Sequence, residues 1–110
     1  MTSTREPRMT LATQLVLGTL LSDPSSDHYG LELSAEAGLP SGTIHPILAR
    51  LEGLGWLESS WEDIDPRVEG RPARRYYRLS AAGADSARAA LARVSHRRAT
   101  ATLRPAPSGH

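Results

Sequence analysis

The sequence predicts an α+β fold that is mainly α: a winged helix-turn-helix with a three-helix core and a two-stranded β-wing, followed by a C-terminal dimerisation helix. Three observations predict it. First, in LPSGTIHPILARLEGLGWLESSW (residues 39–61), Ile44, Ile47, Leu48, Leu51 and Leu54 recur at helical spacing and lead through Gly55 into a strand pattern. Second, only Gly38-Leu39-Pro40 separates this helix from the segment before it, which is the short Gly-containing turn of a helix-turn-helix. Third, the arginine-rich GRPARRYYRL (residues 70–79) completes a hairpin behind it.

A chain of 110 residues makes one domain, and with 39% hydrophobic and 5% aromatic residues its core is modest. A domain this small leaves apolar surface unburied, for which a homodimer is a common remedy. Cysteine is absent, which excludes disulfides, thiolate metal sites and a cysteine nucleophile. No apolar run approaches the ~18 residues a membrane span needs. Residues 1–10 lack an apolar signal region, so the expected location is cytoplasmic, with no membrane partner. The net charge of +1 conceals a segregation. Residues 1–70 hold 4 Arg and 11 Asp or Glu, a balance of −7, while residues 71–110 hold 9 Arg and 1 Asp, a balance of +8. All 13 basic residues are Arg, the side chain best suited to forked contacts with phosphate or guanine. GC-rich coding also favours Arg over Lys, but does not separate charge along the chain.

Residues 1–9 read as a flexible arm and 10–79 as the winged domain. Thr10 caps a first helix to about Leu21, which Asp23-Pro24 breaks. A second helix runs from about Asp27 to Ala37, with Gly38 as a left-handed stop. Ser41 supplies a capping hydroxyl to the third helix, and Pro46 is then tolerated at the edge of its first turn. Residues 56–61 form a strand whose alternation turns Trp61 toward the core and leaves Trp56 at a partly exposed corner. Residues 62–73 read as a loop and 74–79 as the second strand. Ser80 caps a last helix over residues 80–98, in which Ala84, Ala87, Leu91 and Val94 form a narrow seam for a partner helix, aided by the N-terminal helix. Residues 99–110 read as a disordered tail.

Candidate chemistry concentrates in two places. The small, polar side of the third helix offers Ser41, Gly42, Thr43, His45, Pro46 and Arg50 to phosphates or base edges, and the helix N-terminus itself favours phosphate. The wing tip offers Gly70, Arg71, Pro72 and Arg74. The plainer readings are an Arg50 ion pair with Glu36, Glu52 or Glu58, and wing arginines paired with Glu62, Asp63 or Glu69. The four histidines are scattered, no metal-ligand spacing exists, and no catalytic fingerprint is present, so neither a cofactor nor an enzyme is expected.

GLPSGTIHPILARLEGLGWLESSWE followed by GRPARRYYRLSAAG, with HYGLEL before it, resembles the PadR family of bacterial transcriptional regulators over residues 10–97. The resemblance implies a homodimeric DNA-binding repressor, often released by a small effector, here of unknown identity. It places residues 41–46 at the start of the reading helix and 70–72 at the wing tip. The chain resembles the short branch with a single C-terminal helix. It departs where the family usually has Tyr, at His45, and where relatives that bind flat drug-like molecules have an aromatic, in the last helix. The alternative is a winged-helix module that binds protein and not DNA.

Overall fold

The computed structural model describes residues 6–103. Thr10 caps α1 (Leu11–Leu21) by accepting the Thr13 amide at 3.1 Å. The chain then forms β1 (His28–Tyr29), α2 (Gly30–Ala37), α3 (Ser41–Gly53), β2 (Leu57–Trp61), a single turn α4 (Pro66–Glu69), β3 (Arg75–Leu79) and α5 (Ala81–Leu103). Gly38 ends α2 at φ 69° and Gly55 turns the chain out of α3 at φ 81°, a left-handed backbone that glycine adopts without strain.

The core is one cluster. Val16, Leu17 and Leu20 of α1, Leu33 of α2, and Ile44, Leu48 and Leu51 of α3 are fully buried. Trp56, Leu57, Leu79, Ala84, Ala87 and Ala90 close it on the wing and α5 side. The α3 stripe read from spacing is therefore the inner face of the third helix, with Ile47 and Leu54 packed at its margin.

Five features differ from the sequence reading. The sheet has three strands in the order β1-β3-β2, because His28 and Tyr29 pair with Tyr77 and Tyr76 and do not begin the second helix. Pro40 occupies the cap position of α3 and Ser41 is its first helical residue, with no side-chain cap. The tryptophans are exchanged: Trp56 is buried, whereas Trp61 is 64% exposed. Alternation is kept, but β2 outruns the helical body, so the inner side at Trp61 has no core beneath it. The arm is packed from residue 6 onward, with Pro7 buried, Met9 against the core, and Glu6 paired to Arg93 at 2.5 Å. Finally, α5 continues through residues 99–103, on the helix-favouring Ala and Leu of that stretch. The readings for residues 1–5 and 104–110 fall outside the described residues. Among the described residues no helix is long and apolar enough to cross a membrane.

The N-terminus of α5 is tied to the corner between α3 and β2. Ser80 donates its amide to the Trp56 carbonyl at 3.0 Å and its hydroxyl to the Gly55 carbonyl at 2.8 Å. The same hydroxyl accepts the Gly83 amide at 2.9 Å, which caps the helix. Gly83 lies against the Trp56 backbone so closely that a Cβ there would sit 2.0 Å from the carbonyl oxygen.

Candidate nucleic-acid interface

The inner face of α3 is spent on the core, which fixes what the outer face presents. Gly42, Pro46, Ala49 and Gly53 are all exposed, and their spacing of 4, 3 and 4 residues puts them on one ridge. Such a ridge has little side-chain bulk, so a partner surface can approach the helix backbone. Pro46 lies inside the helix, where its ring removes the amide that would bond the Gly42 carbonyl. Ser41, His45 and Arg50 are exposed and Thr43 is half-buried. The six sequence candidates on this helix thus lie on or beside the ridge.

On one flank, His45 faces the wing. Its ring lies over Gly30 at the start of α2, where an added Cβ would come within 2.8 Å of the imidazole Cε1. Together with Tyr29, Leu31 and Arg71–Arg75, His45 lines an open cleft of about 580 Å³ between α3 and the wing. Leu31, 71% exposed, forms its apolar lip.

The wing is held by Glu62. The Arg71 guanidinium donates to both carboxylate oxygens, at 2.7 and 2.9 Å, in a forked pair. The Arg74 amide donates to the same carboxylate at 3.2 Å and the Tyr76 hydroxyl at 3.4 Å. Hydrogen bonding from Arg71 is the largest cause of the Glu62 carboxyl being lowered from 4.5 to about 2, and Glu62 in turn raises the Arg71 guanidinium above its ordinary value. Asp65 caps α4 by accepting the Arg67 amide, and Gly70 closes that turn at φ 70°. Pro72 is exposed at the tip.

The arginines differ in what they hold. Arg71 pairs with Glu62, Arg75 with Glu52 at 3.3 Å and Ser59 at 2.7 Å, and Arg78 with Asp27 at 3.9 Å. Ser59 also donates to Glu52, so this network ties β2 and β3 to the end of α3. Arg75 covers the exposed Trp61 ring at 5.2 Å. The Arg74 guanidinium forms no salt bridge among the described residues, though its charge acts on Glu62, and it stacks at 4.5 Å over Tyr29, whose ring meets Tyr76 edge-on at 5.7 Å. Arg50, for which three acidic partners were open from sequence, pairs with none of Glu36, Glu52 or Glu58 among the described contacts.

The seam expected to meet a partner helix is largely used within the chain itself. Ala84 and Ala87 are buried in the chain's own core, with Ala90 beside them, and only Leu91 and Val94 remain half-exposed. The periodicity is real, but the helices it serves belong to the same chain. Exposed apolar side chains on this side come from α1, where Leu11 is 66% and Leu15 40% exposed. Of the three acids open to the wing arginines from sequence, Glu62 is the one that holds Arg71; Tyr29 as the seat of Arg74 and Arg8 on the packed arm were missed.

Comparison with known proteins agrees with this geometry. A PadR family transcription regulator from Clostridium difficile R20291 superposes with a TM-score of 0.64 at 20% identity, covering 86% of this chain and 98% of that one. The PcaV transcriptional regulator from Streptomyces coelicolor, solved with its natural ligand, gives 0.66 at 24% identity over 96% of this chain and 68% of that one. Overoxidized AbfR bound to DNA gives 0.62 at 25% identity over 80% of this chain, which spans only 59% of the AbfR chain. No curated protein matches. The transcriptional regulator PadR-like family, a family of regulators and not of enzymes, matches residues 19–89, well over half of the sequence. The chain belongs to the PadR-like family of transcriptional regulators.

Proposed function

We propose that this regulator binds double-stranded DNA as a homodimer and represses transcription until a small effector, of unknown identity, releases it. The observation that carries the reading is the exposed, small-residue ridge of α3 with Arg74 and the wing cleft on its flank. A helix with little bulk on its outer face fits the major groove, which is about 12 Å wide. Thr43 and His45 then meet base edges, and Arg71, Arg74 and the Gly70–Pro72 tip meet backbone or minor groove. AbfR, of related fold, is known bound to DNA. A dimer would bury Leu11 and Leu15 of α1 against the partner, together with the exposed part of Leu91 and Val94.

The test is a titration of the full chain against the duplex upstream of its own gene, over a range of salt. A sequence-selective complex whose affinity falls steeply with salt supports the reading. Replacing both Arg71 and Arg74 with Ala then weakens binding to all duplexes alike, whereas Thr43→Ala or His45→Ala changes which sequence is preferred. Three wing arginines already pair with acids, which favours one rival reading, a protein-binding module. That rival predicts no salt-sensitive, sequence-selective complex.

A further inference from the structure

The α3 ridge has a second flank. There the N-terminal arm and α3 border a half-open cleft of about 230 Å³, lined by Arg8, Thr10 and Thr13 on one side and Pro46, Ile47 and Arg50 on the other. Two arginines line it and no acidic residue does. Neither arginine has a partner among the described residues, although Arg71, Arg75, Arg78, Arg88 and Arg93 all pair with acids. Two cationic side chains without acidic partners at one cleft make it a favourable place for an anion.

Arg8 is not carried on a loose thread. Pro7 before it is buried and Met9 after it packs against the core. The Met9 carbonyl accepts from the side-chain Nε2 of Gln14 at 2.8 Å, and Glu6 is held by Arg93. The backbone around Arg8 has therefore already lost its freedom on folding, and a ligand there has less ordering to impose. The cleft also shares Pro46 with the ridge, on the opposite side from His45 and the wing. A helix lying in a major groove has a phosphate rail on each side. With α3 so placed, the wing cleft would lie toward one rail and the arm cleft toward the other.

We infer that the arm cleft is a seat for one DNA backbone phosphate, with Arg8 and Arg50 as its two cationic walls. The inference rests on the DNA-binding reading above and adds to it a contact from outside the helix-turn-helix and wing. It also gives Arg50 a positioning role without base information, since forked guanidinium contacts to phosphate fix register and not sequence.

The experiment compares the parent, R8A, R50A and R8A/R50A, with R88A as a control on α5, on a duplex that the parent selects from a random pool. All three altered side chains are exposed, and unchanged melting curves check that the fold survives. Loss of one phosphate contact lowers the slope of log affinity against log salt by about 0.9. The parent's advantage over R8A/R50A then shrinks roughly 3.5-fold between 50 and 200 mM salt, with the ranking of duplexes unchanged. Removing the charge of single phosphates by methylphosphonate substitution should reveal one position that weakens the parent but not R8A/R50A. If the parent binds selectively and R8A/R50A matches R88A in affinity and slope, the cleft is not a phosphate seat, while the DNA reading stands. If the parent selects no duplex, both fall.

Discussion

Exchanging glycine for alanine in two helices of this protein should move stability in opposite directions. In a helix interior the exchange gains about 1 kcal/mol from propensity alone. At Gly18, on the exposed side of α1, an added Cβ meets nothing within 4 Å, so Gly18→Ala should realise most of that gain. At Gly83 the same Cβ would lie 2.0 Å from the Trp56 carbonyl oxygen and 2.6 Å from its carbonyl carbon and Cα. Non-bonded heavy atoms sit at about 3.5 Å, so a gap of more than 1 Å must open. The obstacle is backbone and cannot swing aside. Opening the gap strains the Ser80 bonds to Gly55 and Trp56, about 1 kcal/mol each, and lifts Ala84 and Ala87 from the core. Overpacking alone costs about 1–3 kcal/mol. The propensity gain is outweighed, and Gly83→Ala should lose about 2 kcal/mol net, lowering Tm by roughly 10 °C at 4–8 °C per kcal/mol. Gly18→Ala should raise Tm by a few degrees. Thermal unfolding followed by circular dichroism, at one protein concentration because association shifts Tm, reads both. A Gly83→Ala protein that melts at or above the parent temperature would refute the packing argument.

The Glu62 carboxyl should titrate near pH 2 when followed by the Arg74 amide resonance. Its native value lies below its ordinary 4.5, so the tie it makes is complete above pH 4.5 and lost as pH falls through about 2. Glu62→Gln should abolish that transition and speed amide exchange in residues 70–74, and a midpoint near 4.5 in the parent would contradict the forked pair. Gly30→Ala should leave Tm within about 2 °C of the parent, because the imidazole it displaces is the end of a movable side chain. It should nevertheless alter sequence preference in the duplex titration, and unchanged preference would mean that the His45 position does not matter to reading.

Where neighbours in sequence decide the structure, the sequence was readable. The Thr10 and Ser80 caps, the left-handed Gly38 and Gly55, and the buried stripe from Ile44 to Leu51 follow from rules that act over a few residues. What escaped depends on distant chain. His28 and Tyr29 become a strand because β3, almost fifty residues later, offers its free edge. Trp56 and Trp61 exchange places because burial depends on where the helical body ends, which alternation along a strand does not encode. Ala84 and Ala87 carry a spacing that serves a partner helix in the same chain as well as in another. In the candidate site, the residues on α3 were legible as a face. The anchoring of Arg71 by Glu62 was visible only as one of three acids within reach.

The close seating of Gly83 has a mechanical consequence. From that point to Leu103 the last helix runs about 30 Å, and from Ser95 to Ala101 every residue is exposed. The helix is a lever whose fulcrum is the carbonyl at which α3 hands over to β2. Glycine seats the helix directly on that carbonyl, so a tilt applied at the far end would act where α3 gives way to β2. A molecule that held the outer turns of α5 would thereby act on α3, the helix proposed above to read DNA.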